Sequence, residues 1–139
     1  MNTLLNTVVI QLRIDEGLKL KPYRCTANKL TIGYGRNIED KGITEEEANH
    51  LLLNDIIATE KELSTNKPVY NTLDDKRKEV LLNMCFQLGY PKLSQFKKFF
   101  KALESKDYSL ASLEMMDSSW AKQTPNRALR LSRIMRKGA

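Results

Sequence analysis

Asp15 and Glu16, Cys25 and Thr31 bring two acids, a thiol and a hydroxyl into one short stretch near the N-terminus. A carboxyl can protonate a leaving group, and a thiol or hydroxyl can hold or activate a nucleophilic water. The two acids close an apolar-periodic stretch, Leu4, Leu5, Val8, Val9 and Leu12, that reads as an amphipathic helix running to about Glu16. Gly17 supplies its stop. The negative pole of a helix disfavours an anion at that end by roughly 0.3–1 kcal/mol. A general acid works in its protonated form, so the position suits one. Adjacent helical residues diverge by about 100°, so at most one of the pair can face a given site. Each residue also has an ordinary explanation: a solvated acid pair, a core cysteine, a threonine placed for β-propensity.

The elements that must position these groups can be read from the same sequence. Residues 22–37 read as strands, with Leu30-Thr-Ile-Gly-Tyr-Gly alternating and Ala27-Asn28-Lys29 as the hairpin turn. If that hairpin folds beside the helix end, Cys25 and Thr31 line the site that Glu16 enters. Thr44-Glu45-Glu46-Glu47 is a capping box, with Thr44 as N-cap and Glu47 reaching back. The helix it opens is expected to turn Ala48, Leu51, Leu52, Ile56 and Ile57 inward and to end before Pro68. Asp74 and Asp75 begin another, with Val80, Leu81, Met84, Cys85 and Leu88 on an apolar face and Gly89 and Pro91 at its end. Shorter helices fit 95–104 and 108–117, and Thr124-Pro125 places an N-cap before a proline at the first helical position. His50, Met84, Phe99 and Phe100 read as packing or surface.

A chain of 139 residues suffices for one domain with a core of its own, and 41% hydrophobic with 29% charged residues is ordinary for a globular protein. No run approaches the roughly 20 apolar residues that span a bilayer. Met1 to Gln11 has neither the charged start nor the cleavage site of a secretory signal, so a chain folded in the cytoplasm is expected. The two cysteines fit no metal spacing, and in that compartment they are expected to stay reduced. One histidine excludes a His-rich zinc site, and no metal is expected. After Asp117 there is no acid, while Lys122, Arg127, Arg130, Arg133, Arg136 and Lys137 follow. Arginines three apart share one side of a helix, which fits either a polyanionic partner or a solvated face.

Four blocks carry a resemblance: Arg13-Ile-Asp-Glu-Gly-Leu-Lys-Leu, Leu30-Thr-Ile-Gly-Tyr-Gly, Asn83-Met-Cys-Phe-Gln-Leu-Gly and Trp120-Ala-Lys-Gln-Thr-Pro-Asn-Arg-Ala. In order and spacing they resemble the phage T4-type lysozymes, the endolysin branch of the glycoside hydrolases, from about Leu12 to Arg136. The resemblance implies an α+β, lysozyme-like fold, mostly helical, with a small antiparallel β-hairpin lobe and a cleft between lobes. A single domain, 1–139, is expected, with a small lobe at about 13–60 and a helical lobe of about 61–139 plus the N-terminal helix. Glu16, Cys25 and Thr31 match the family pattern Glu-x8-Asp/Cys-x5-Thr. By resemblance Glu16 is the general acid, Thr31 helps hold the attacking water, and Gln87 lines the sugar-binding floor. Thr124, Asn126 and Arg127 open the last helix on a turn that faces the acid, and Arg127 would pair with Glu16.

The main departure is Cys25, where T4-type members carry aspartate; a thiolate base or nucleophile, a water-orienting group and a space-filler are its three roles. Arg36 stands where the family often has histidine, and the stretch before Thr44 is shorter. The implied function is muramidase hydrolysis of peptidoglycan with host lysis, without cofactor, by a monomer that waits in the cytoplasm until a holin opens the membrane. A lytic transglycosylase, or a non-catalytic nucleic-acid-binding domain built on the basic last helix, are the rival readings; under the muramidase reading no nucleic acid is bound.

Overall fold

Asn2 opens the first helix by accepting a hydrogen bond from the Leu5 amide at 2.8 Å, leaving α1 to run Thr3–Glu16 until Gly17, at φ +70°, turns the chain out of it. The structure is a computed structural model and describes residues 2–138. It divides into two units, 1–50 and 51–139. Among the described residues no helix is long and apolar enough to cross a membrane.

In the first unit α1 is followed by three strands, β1 (Lys19–Arg24), β2 (Leu30–Gly33) and β3 (Arg36–Asn37), then α2 (Ile38–Lys41). The sheet is antiparallel in the order β1-β2-β3, with Tyr23 opposite Thr31 and Thr31 opposite Asn37. The expected hairpin is thus the first half of a three-stranded sheet, and β1 starts earlier than expected, at Lys19. Asn28 takes the turn at φ +60°, a conformation that asparagine tolerates better than most residues. Every buried apolar side chain among the described residues lies in the second unit. The first unit is tied instead by its strand ladder and by polar contacts. Glu39 accepts from the Leu30 amide at 3.3 Å and from Arg24 at 2.7 Å, and these hold its carboxyl below the usual range, the amide first. The capping box forms as expected: Glu47 N–H donates to the Thr44 hydroxyl at 3.1 Å and Thr44 N–H to the Glu47 carboxylate at 2.8 Å. Arg36 clamps the same carboxylate at 2.7 Å.

The box opens α3 (Glu45–Asn66), within which the division between units falls. Only Leu63 of this helix is buried, whereas Leu51, Leu52, Ile56 and Ile57 are each more than a third exposed, against the inward face expected of them. Consecutive apolar residues such as 51–53 and 56–57 wrap round more of a helix than one buried stripe covers.

A 3-10 turn at Pro68–Thr72 leads to α4 (Asp75–Leu88), α5 (Tyr90–Leu93), α6 (Lys97–Glu104), α7 (Tyr108–Met116), α8 (Ser119–Gln123) and α9 (Pro125–Lys137). Helix α7 packs on α6 and α9, and α4 packs on α9. Val80, Leu81, Met84 and Cys85 are buried as their spacing predicts, and so are Phe99 and Phe100, while Lys97, Lys98 and Lys101 on the other side of α6 stay in water. Pro91 does not simply end α4 but opens α5, where its missing N–H costs nothing.

The last helix is pinned at its C-terminal end by Arg77. Its guanidinium donates to the carbonyls of Met135 at 2.7 Å and Arg136 at 3.0 Å, pairs with Asp74 at 2.9 Å, and stacks 3.5 Å from the Tyr108 ring centroid. A Cβ at Gly138 would come within 2.5 Å of that guanidinium, so the glycine makes room for the clamp. Charged hydrogen bonds contribute about 1.5–3 kcal/mol each. Arg77→Ala is therefore expected to lose ~2–4 kcal/mol, read as a lower urea midpoint with an unchanged slope. Arg77→Lys should recover only part of this, because one ammonium cannot bridge two carbonyls and stack on the ring.

Candidate active site

Helix α1 delivers Glu16 on its last turn, and the β2–β3 turn receives it. That turn, Gly33-Tyr34-Gly35, is tight because both glycines adopt left-handed φ, +72° and +73°. The exposed Glu16 side chain lies against Gly35 so closely that a Cβ there would stand 2.7 Å from Glu16 Oε2. One helical turn earlier, the Arg13 guanidinium lies 5.8 Å from the Tyr34 ring centroid. The end of α1 therefore meets consecutive turn residues with side chains three apart, as helical periodicity requires.

Thr31 sits on β2, the middle strand, flanked by Tyr23 and Asn37, which is why it is 3% exposed while its neighbours are not buried. Cys25 stands half-buried just past the end of β1, its amide bonded to the Lys29 carbonyl at 3.0 Å and its carbonyl accepting from Asn28 at 2.8 Å. Hydrogen bonds from the Lys29 backbone, the Thr31 hydroxyl and the Ala27 backbone, in that order, draw the Cys25 thiol below its usual range. Thr31 has one hydroxyl proton and two acceptors in reach, because it also donates to the Lys29 carbonyl at 2.9 Å. A thiolate at Cys25 would compete for that proton; a neutral thiol would leave it with Lys29. Both cysteines are free, and burial pushes the Cys85 thiol up. Near pH 8 one equivalent of iodoacetamide is thus expected to label Cys25 and spare Cys85 until the chain unfolds, as peptide mass mapping would check.

The second unit holds the other residues singled out by the sequence. Gln87, exposed on α4, accepts a hydrogen bond from the buried Trp120 indole at 2.8 Å. The Thr124 hydroxyl donates to the Trp120 carbonyl at 2.9 Å, so both residues are organised around Trp120. This corrects one expectation: Thr124 occupies the N-cap position of α9 but makes no side-chain cap, because its hydroxyl is already spent one turn back. Arg127 donates from Nε to the Asn83 side chain at 2.9 Å, and the two line a largely apolar pocket of about 340 Å³ with Leu52, Ile56, Leu82 and Phe86. Asn126 is exposed beside it.

Gly35, Asn83 and Trp120 contact the singled-out residues Glu16, Arg127 and Gln87, and none of the three was singled out from the sequence. Asn83 lies four residues before Gln87, one turn along the same helix face, and that spacing was the available signal. Nothing local marks Gly35, whose constraint comes from a side chain nineteen positions earlier.

A family model for phage lysozymes matches residues 13–136. The chain is 35% identical to probable T4-type lysozyme 2 of Dictyostelium discoideum, over 91% of this chain and 92% of that protein. Probable T4-type lysozyme 1 of the same organism is 29% identical over 97% and 96%. An endolysin of Acyrthosiphon pisum secondary endosymbiont phage 1 is 36% identical over 77% of this chain and 73% of its own length.

Proposed function

The chain belongs to the phage lysozyme family of peptidoglycan-directed glycoside hydrolases, and from that premise we propose that it cleaves the β-1,4 bond between N-acetylmuramic acid and N-acetylglucosamine. The observation that carries this reading is the place of Glu16, lying against Gly35 in the turn that follows the Thr31 strand, with Cys25 just past the end of the strand paired to it. Glu16 gives its proton to the leaving glycosidic oxygen, and an oxocarbenium-like centre develops on the sugar. A water held by Cys25 and Thr31 attacks that carbon, forming the new C–O bond as the glycosidic C–O bond is lost, and its proton passes through solvent to restore Glu16 to the acid form. Because Thr31 donates to Lys29, its oxygen lone pairs are free to accept from that water. Cys25→Asp is expected to keep activity, since aspartate accepts from the same water, whereas complete alkylation of Cys25 is expected to stop reducing-end release by filling the site. Gln87, Thr124, Asn126 and Arg127 enter this reading as substrate-binding or acid-orienting residues; among the described residues Arg127 is held by Asn83 and by no carboxylate, against the pairing with the acid expected of it.

The charge distribution supports an anionic partner of wall type. Residues 1–50 carry seven cations and seven acids, and residues 51–139 carry sixteen and ten, so the whole net charge of +6 sits in the second unit. Arg130, Arg133, Arg136 and Lys137 on α9 are all exposed. Attraction of this kind weakens as salt shortens the Debye length. In the setting proposed, a monomeric enzyme waits in the host cytoplasm until a holin opens the membrane, then lyses the cell from within.

Reducing-end release from purified peptidoglycan, with product masses, tests the reaction. Hydrolysed ends support a muramidase; 1,6-anhydro ends would make the chain a lytic transglycosylase. No release of either kind removes the reading.

A further inference from the structure

Tyr34 is an aromatic side chain placed where packing does not need it. It is 44% exposed at the tip of the β2–β3 turn, and among the described residues its hydroxyl makes no hydrogen bond. A lone exposed aromatic ring is ordinary on a protein surface. Two contacts set this one apart: its neighbour Gly35 touches the Glu16 carboxylate, and Arg13 from the same helix turn lies over the ring at 5.8 Å. The guanidinium is at the outer limit of a cation–π contact, so the ring is not consumed by it. Nor is Arg13 consumed: among the described residues it has no carboxylate partner, although Asp15 and Glu16 follow it directly. An aromatic plane and an unpaired planar fork of five N–H donors stand together beside the acid. A pyranose presents a face of C–H bonds that packs on aromatic rings. N-acetylmuramic acid also carries a lactyl group whose acyl end is a carboxylate or bears an acidic peptide, which a guanidinium binds with two parallel hydrogen bonds.

We propose that Arg13 and Tyr34 form a glycan subsite adjoining Glu16, Tyr34 stacking on a sugar ring and Arg13 pairing with a carboxylate of the muramyl substituent. The inference rests on the muramidase reading and extends it to what the enzyme selects: an anionic, peptide-bearing glycan over a neutral one.

The test uses the full chain with soluble peptidoglycan fragments bearing stem peptides, and with a neutral N-acetylglucosamine oligomer. Tyr34→Ala is expected to raise KM for the fragments about tenfold while kcat moves less than about twofold, the signature of uniform binding loss. Tyr34→Phe should restore KM, because stacking needs the ring and not the hydroxyl. Arg13→Gln should weaken binding of the acidic fragments about tenfold and of the neutral oligomer not at all. A KM within twofold of wild type for Tyr34→Ala overturns the stacking role. Equal loss on both ligands for Arg13→Gln overturns the carboxylate role. Calorimetric titration of both ligands into Glu16→Gln, alone and combined with each substitution, separates the two levels. If the wild type releases no sugar ends, the muramidase reading fails, and the titration still decides whether the subsite binds glycan.

Discussion

Glu16→Gln is expected to lower kcat for peptidoglycan hydrolysis by about 10²–10⁴ with no loss of stability, because the amide keeps the shape of the carboxyl and cannot surrender a proton. The expectation depends on where α1 ends. Gly17 caps the helix through its N–H to the Arg13 carbonyl at 3.2 Å, so Glu16 is the last side chain of the helix and Gly35 is the backbone it lies on. A general acid must meet the leaving oxygen at hydrogen-bond distance, and Glu16 starts from the end of a helix with its carboxyl lying against a tight turn. Stability should be unchanged because the Glu16 carboxylate makes no ion pair or hydrogen bond among the described residues. The measurements are single-turnover rates on soluble fragments and a urea titration of the same preparation. Retention of more than a tenth of the activity would move the acid elsewhere, with Asp15 the next to replace. A comparable loss in stability would make Glu16 structural instead.

What could be read in the sequence was what local chemistry marks. The Thr44–Glu47 box, the Asp74 start of α4, the Gly17 stop and the proline opening α9 are each announced by a residue whose side chain or backbone acts within one turn of itself. The elements that escaped, α2, α5 and α8, are four or five residues long, too short to establish a period, and β3 was read only as the end of the 22–37 strand stretch. Thr124 shows the limit of cap reading: residue type and position were right, and a competing carbonyl at Trp120 took the hydroxyl. In the site the division is the same. Glu16, Cys25 and Thr31 were singled out by a family spacing that can be read in the sequence. Their supports, such as Gly35 under Glu16 and Trp120 under Gln87, are tertiary contacts across 19 and 33 positions that no window contains.

Gly35→Ala is expected to cut kcat about 10²-fold, close to the loss from removing the acid itself, although it removes no functional group. A methyl at this position would stand 2.7 Å from Glu16 Oε2, 3.0 Å from Cδ and 3.3 Å from Cγ. The atoms it meets are the far end of a flexible side chain, so the clash is relieved by swinging the carboxyl away from its seat. That costs little stability and most of the catalytic alignment. A second cost is the backbone: at φ +73° an alanine is strained by roughly 1–2 kcal/mol. Gly33→Ala separates the two effects. Its φ of +72° gives the same strain in the same turn, but no atom lies within 4 Å of its Cβ position. Both variants should therefore lose similar stability in urea, and only Gly35→Ala should lose the rate. Equal rates in the two variants would mean that Glu16 does not act from its place against Gly35. A rate loss in both that tracks their stability would assign the turn a purely structural part.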